Sequence, residues 1–420
     1  MKKDCFLPAD ILLPDFDVTD GTLWSVVACD QYTSQPEYWA CADTLVGANP
    51  STLRTVLPEV YLSEADIRIP PIRETMFDYL DRILVCHPDS MILVDRTLAD
   101  GKHRYGLVGR LDLESYDFRP GSDALTRATE ETVPERIPPR MIIRRGAPME
   151  LPHAMLLIDD RAKTVVEPLF ARLNDYKTVY DHDLMQNSGH LKGYLLDATA
   201  MDATTDALAA LITPDAMAER YGKTGLAPLL FAVGDGNHSL AAAKSCYEEL
   251  KAKLGAEAVR EHPMRYALCE VVNIFDDSLD FEPIYRTIVG IDPQKVAADF
   301  EAYCASLSGL AAAQEVRICF KGVDKTVIVP HPVASLAVGT VQAFLNSYPL
   351  PSSAEVDYIH GEDVAVSIGT REGAIAFLFD GMTKEELFST VIADGSLPRK
   401  TFSMGHASDK RFYTEARRLG

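Results

Sequence analysis

One stretch constrains the fold more than any other: Leu229 to Gly255, LLFAVGDGNHSLAAAKSCYEELKAKLG. The apolar run Leu229 to Val233 suits a short buried strand. The residues Gly234-Asp235-Gly236-Asn237-His238 then read as a turn, because glycine accepts positive φ and lets the backbone pass close to a neighbour. A helix follows, with Leu240, Ala243, Tyr247, Leu250 and Leu254 spaced 3, 4, 3 and 4 so that they share one face. Lys251 and Lys253 in its last turn, with Gly255 behind them, form a helix stop. Strand and helix patterns alternate through the rest of the chain, which predicts an α+β fold around a mixed sheet.

The flanking segments extend this pattern. MILVDRTLADGKHRYGLVGRLDL (91–113) gives two β-like runs around Asp100-Gly101, a hairpin signal. A helix is expected from about Arg73 to Leu84, entered after the Pro70-Pro71 break. AMLLIDD (154–160) and MRYALCEVVNIF (264–275) read as buried strands. Helical patterns cover about 167–175 and 201–221, with Thr213-Pro214 as cap and first helical position. Proline-rich breaks near 134–152 and 348–352 are the candidate seams. The expected division is an N-terminal α/β region (1–150), a central region carrying the GDGNH loop (151–289) and a C-terminal α/β region (290–420).

Charge narrows the partners. Lys plus Arg is 41 and Asp plus Glu is 62 in 420 residues, a formal charge of −21. Such a chain is repelled by phosphate backbones and anionic lipid, which argues against a nucleic-acid partner. No apolar run approaches the ~18 residues of a membrane helix. Met1, Lys2 and Lys3 resemble a signal start, but Asp4, Pro8, Asp10 and Pro14 break any apolar segment behind them. The eight cysteines form no Cys-x-x-Cys pair, so reduced and mostly buried thiols in a cytoplasmic protein are expected. The oligomeric state is not encoded in any pattern.

Three segments could carry chemistry. At Gly234 to Ser239 a helix N-terminus would present unpaired N–H groups and about half a positive charge to an anion. Asn237, His238 and Ser239 can donate to phosphate oxygens, and Asp235 can accept a proton or hold a metal. An ordinary strand-to-helix turn with Asn or Ser as N-cap accounts for the same residues. The loop is neither a Walker loop nor a GxGxxG fingerprint. In the second segment, 126–153, Arg127, Arg136, Arg140, Arg144 and Arg145 crowd together, and arginine forks suit phosphate or carboxylate. Glu130, Glu131 and Glu135 could instead neutralise them in surface pairs. In the third, Gly395 to Gly405, Lys400 with Thr401 and Ser403 could hold an anion, while Lys410 and Arg411 are assigned to a solvated helix face.

Weaker candidates complete the survey. Asp30-Gln31-Tyr32 follows the apolar run WSVVAC and is placed at a strand end. Asp181-His182-Asp183 has metal-ligand residue types but reads as a solvated turn. Ser25 and Cys29 lack a nucleophile-elbow context. No metal site is assigned.

GDGNHSLAAAK resembles the hallmark of the family known as domain of unknown function 1015: a strand, an Asp-Gly-His-His-Arg-like loop and a helix. VVACDQYTS (26–34), the Arg/Glu stretch 126–145 and the Pro-x-Lys-Thr/Ser-x-Phe-like ending at 398–402 fit the same resemblance, which runs from about residue 10 to the C-terminus. It implies a ParB/sulfiredoxin-like core, a group that includes free-serine kinases. It therefore implies a nucleotide-dependent phosphotransferase acting on free serine or a similar hydroxyl compound. Carried over, Gly234, Asp235, Gly236, Asn237 and His238 would cradle phosphate, but Asn237 replaces the first His and Ser239 the Arg. Arg127, Arg136, Arg140 or Lys400 with Thr401 would then supply the cation. Asp235, His238 and Glu130 are the catalytic candidates, and Asp30, Gln31 and Tyr32 the substrate-binding ones. ATP or ADP with Mg²⁺ is the implied cofactor, and a phosphorylated small molecule the implied ligand. A non-catalytic sensor of a phosphometabolite, or a phosphoserine phosphatase, would use the same cradle. A ParB-like nucleic-acid protein would need a basic face.

Overall fold

The computed structural model describes residues 5–152, 154–412 and 414–420. Met1 to Asp4, and with them the signal-like start, lie outside the described residues. The chain divides into two units: 1–128 with 132–279 and 405–420, and 129–131 with 280–404. Each proline-rich break expected as a seam lies within a unit, 134–152 in the first and 348–352 in the second.

The first unit is built on a ten-stranded mixed sheet. Its strands are β1 (Ile92–Thr97), β2 (His103–Asp112), β3 (Tyr116–Asp117), β4 (Thr126–Ala128), β5 (Met155–Ile158), β6 (Lys177–Asp183), β7 (His190–Leu195), β8 (Phe231–Asp235) and β9 (Tyr266–Asn273). Their order is β6-β7-β1-β2-β9-β5-β8-β4-β3, and Phe6–Leu7 pairs with β2. β8 runs parallel to β4 and antiparallel to β5, and β9 runs parallel to β5. Both faces are covered, which is why the central strands read as unbroken apolar runs. Leu107, Leu156, Phe231 and Val271 form one core, and Ile11, Leu13, Val94, Val108 and Leu268 form another. The hairpin at Asp100-Gly101 forms as expected, with Gly101 at φ 86° and its N–H donating to Leu98 O at 3.0 Å.

The helices that matter for the site are α1 (Ala65–Arg82), α2 (Ile137–Arg144), α3 (Ala198–Leu211), α4 (Pro214–Tyr221) and α5 (Asn237–Leu254). α1 starts well before Arg73 and carries Pro70 and Pro71 inside it. The two missing N–H donors are offset by burial of Ile69, Met76, Tyr79 and Leu80 along one face. Thr213 caps α4, accepting from Ala216 N at 3.4 Å, with Pro214 in the first turn. On α5, Leu240, Ala243 and Tyr247 pack into the sheet core with Leu250 at its margin, while Leu254 is exposed. A second face of α5, formed by Ala241, Ala242 and Cys246, is buried against Ile137 and Met141 of α2.

Two expected turns and ends differ. Asp181-His182-Asp183 lies in β6, paired throughout with β7, rather than in a turn. As an edge strand it tolerates solvated carboxylates, and His190 of β7 bridges Asp181 and Asp183 at 2.7 and 2.8 Å. The run before Asp30 makes only an isolated bridge, Val27 to Arg411, because Val26 and Val27 are buried in a hydrophobic cluster rather than in a ladder.

The second unit holds a six-stranded antiparallel sheet of β10 (Phe281–Val289), β11 (Gln314–Phe320), β12 (Val323–Val329), β13 (Glu355–His360), β14 (Ala374–Leu378) and β15 (Phe402–Met404). The order is β12-β11-β14-β10-β13, with β15 against the start of β10. Phe300 meets Phe344 and Phe377 edge-on in its core.

Candidate functional site

The strand–loop–helix of the first unit is set by Gly236. Its φ is 78°, and a Cβ there would stand 2.9 Å from Ala154 Cα, so only glycine fits. It is also the N-cap of α5, without a side-chain cap, so neither Asn237 nor Ser239 takes that role. The amides of the first turn therefore have no intrahelical acceptor, and the dipole end of an 18-residue helix faces the loop. Asp235 Oδ1 accepts from Gly236 N at 2.8 Å, and Lys410 Nζ stands 3.8 Å from Asp235 Oδ2. Asn237 Nδ2 donates to Val233 O at 3.4 Å.

His238 ties the loop to the arginine-rich segment, its Nε2 accepting from Val133 N at 3.3 Å. Burial, then the charges of Arg140 and Arg136, push its imidazole down to about 4, with Asp30 opposing. The ring is therefore neutral near pH 7, with Nε2 an acceptor. Packing of α2 on α5 brings Arg140 here. Its guanidinium is ion-paired with Glu59 and donates to Arg136 O at 2.9 Å. Arg136 is exposed on the turn before α2.

Asp30 lies in the same field, and Gln31 Nε2 donates to its Oδ1 at 2.9 Å. Tyr32 is held at φ 50°, an outlier for a bulky residue, and stacks on Tyr38 with centroids 3.9 Å apart. Cys29 beside Asp30 is no thiolate nucleophile: burial, then Asp30 and Glu59, push its thiol well up.

Other candidates form separate groups. Arg127 is buried in β4 and donates to Ala124 O at 2.9 Å and to Ala227 O and Pro228 O at 3.3 Å. Those carbonyls lie at the entry to β8, the end away from the loop. Glu130 belongs to the second unit, where its carboxylate accepts from Lys400 N at 3.2 Å and Thr401 N at 3.3 Å. Lys400 sits at φ 54° with Nζ 4.9 Å from the Tyr358 ring, and Thr401 Oγ1 donates to Pro398 O at 2.7 Å. Arg286 fixes that turn from beneath, donating to Lys400 O at 2.8 Å and Arg399 O at 3.0 Å.

Three residues of the first unit were not visible as site residues in the sequence. Glu59 had no motif. Lys410 and Arg411, assigned to a solvated helix face, follow a short 3₁₀ turn instead. Lys410 is half-buried beside Asp235, and Arg411 is buried, donating to Ser25 O at 2.7 Å. Among the described residues no group of three His, Cys, Asp or Glu side chains could hold a metal. Mg²⁺ held by one or two carboxylates and phosphate oxygens needs no such cage. No helix among them is long and apolar enough to cross a membrane.

The loop also borders a cavity of about 170 Å³ within the first unit, lined by Ser239, Asp30, Arg140 and a largely apolar wall.

The model of a family described as protein of unknown function, DUF1015, matches residues 13–353. No curated protein matches the chain. Among solved structures, a mutant free serine kinase in complex with AMP is 11% identical, with a TM-score of 0.36 over 71% of this chain and 87% of that one. Another mutant of that kinase, in complex with ADP, is 11% identical, with a TM-score of 0.35 over 71% and 87%. A conserved hypothetical protein from Pyrococcus furiosus is 12% identical, with a TM-score of 0.33 over 70% and 89%.

Proposed function

The chain belongs to the DUF1015 family of proteins of unknown function, and from that premise we propose that it binds phosphorylated small molecules at Gly234 to Ser239 and acts as a nucleotide-dependent phosphotransferase. The acceptor is a small hydroxyl compound, free serine or one like it. The mixed sheet with its strand–loop–helix is read as the ParB/sulfiredoxin-like core that the sequence resemblance implies.

One observation carries this reading: His238, at the start of α5, lies in the field of Arg136, Arg140 and Asp30, which come from two other segments. A helix N-terminus with two cations beside it favours a multiply charged anion over water. The helix amides and Arg136 and Arg140 hold phosphate oxygens of ATP or ADP. Arg136 is the more accessible cation, since Arg140 is paired with Glu59. His238, neutral and with Nε2 accepting from Val133 N, orients an acceptor group through Nδ1. Asp235 takes the proton of the acceptor hydroxyl as its oxygen bonds to phosphorus and the bond from phosphorus to the leaving oxygen breaks. Most of the catalytic effect is positioning and charge neutralisation. Asp30 with Gln31 and Tyr32 holds the acceptor. Lys400, Thr401 and Glu130 are a secondary proposal, as a distinct anion-binding turn.

A second reading, a non-catalytic binding protein, is favoured by the engagement of both Asp235 oxygens, one by Gly236 N and one facing Lys410. Thermal-shift titration with ATP, ADP, inorganic phosphate, serine and phosphoserine, with and without Mg²⁺, separates the two. A ligand at about 100 times its Kd adds roughly 2.7 kcal/mol. A shift with nucleotide that deepens with a hydroxyl compound supports transfer. A shift with phosphoserine alone supports a phosphatase or sensor. Absence of any shift overturns the phosphate reading.

A further inference from the structure

The cavity beside the loop has a chemistry that the phosphate site does not explain. Its volume is about 170 Å³. For scale, a dry cavity of about 150 Å³ lined by Leu, Ile and Phe takes up benzene. Leu57, Leu62, Met76, Ile143, Met149 and Leu268 make up much of its wall. Four of its charged groups are paired with one another. Arg140 pairs with Glu59, and Arg144 with Glu150 at 2.6 Å. Glu150 also accepts from Leu268 N at 3.0 Å and Arg417 Nε at 2.8 Å. Away from Asp30 an occupant therefore meets paired charges and mostly apolar walls, which would strip water from a polar group without replacing its hydrogen bonds. Ser239 and Asp30 line the same cavity, so it continues directly from the start of α5.

We propose that this cavity holds the carbon skeleton of the ligand, an apolar body of about six carbons, whose hydroxyl or phosphate ester is held at the start of α5. The inference rests on the phosphate reading of that loop but replaces its serine-like acceptor: the hydroxyl compound is an apolar alcohol. The free carboxylate of serine meets only cations already engaged on these walls, Arg140 with Glu59 and Arg144 with Glu150.

The test compares inorganic phosphate, phenyl phosphate, phosphoserine and AMP by calorimetric titration of the full chain. Burial of a phenyl ring is expected to make phenyl phosphate bind about tenfold or more tighter than inorganic phosphate and phosphoserine. Leu62→Trp, at a half-buried wall position, is expected to bring that ratio close to one, and Ile143→Phe to lower it. Circular dichroism of each variant shows that it is folded. Equal binding of phenyl phosphate and inorganic phosphate overturns the cavity assignment and leaves the phosphate site standing. AMP binding tighter than phenyl phosphate with the same loss in Leu62→Trp overturns it in favour of a nucleobase pocket. Failure of every phosphate compound to bind overturns the phosphate reading and this inference together.

Discussion

Glu415 is 1% exposed, and burial, with Glu270 as a like charge, pushes its carboxyl up to about 7. The Tyr180 hydroxyl donates to its Oε1 at 2.7 Å. A carboxyl raised in the folded state stabilises folding fully only below its unfolded value of about 4.5, and that stability is lost as pH rises to about 7. Glu415→Gln is therefore expected to match the wild type near pH 4. Above pH 7 it should be more stable, by on the order of 3 kcal/mol, in urea unfolding. His238 behaves in the opposite sense. Its imidazole is held down, so its contribution is present above the ordinary value of 6.5 and is lost as pH falls to about 4. Neither shift was legible in the sequence, because each depends on neighbours distant in the chain.

The strand–loop–helix was the most legible element, because its strand length, glycines and helix periodicity are all local. Gly236→Ala tests it. The new Cβ would meet Ala154 Cα at 2.9 Å at a φ of 78°, and neither atom is the end of a flexible side chain. A loss of about 1–3 kcal/mol in thermal unfolding is expected, with weaker phosphate binding as the first turn shifts. The second buried face of α5 was not legible, since Ala241, Ala242 and Cys246 carry little hydrophobic contrast, yet that face docks α2 and so brings Arg140 to His238. The helix through Pro70 and Pro71 was hidden for a related reason. Local propensity argues for a break there, and burial of Met76, Tyr79 and Leu80 outweighs it. β6 looked like a turn because its carboxylates are solvated, as an edge strand allows.

At the scale of the molecule, the acidic composition argued against a nucleic-acid partner, but chain crossings were out of reach of local patterns. Residues 129–131 belong to the second unit, while 405–420 return to the first. The returning segment pairs Ala416 with Leu12 and brings Arg417 to Glu150 at 2.7 Å. Arg417 is 4% exposed and also donates to Tyr266 O at 2.6 Å. Arg417→Met leaves buried Glu150 with less compensation and is expected to cost about 3–5 kcal/mol, measured by denaturant unfolding. The central claim is that phosphate groups bind where α5 begins. The most direct measurement of it is the pH titration of the His238 ring by NMR, with and without ADP or inorganic phosphate. Free protein should titrate near 4, and bound phosphate should raise that midpoint by adding negative charge beside the ring. A ligand that binds while the His238 titration stays unmoved would contradict the claim and place the phosphate site elsewhere.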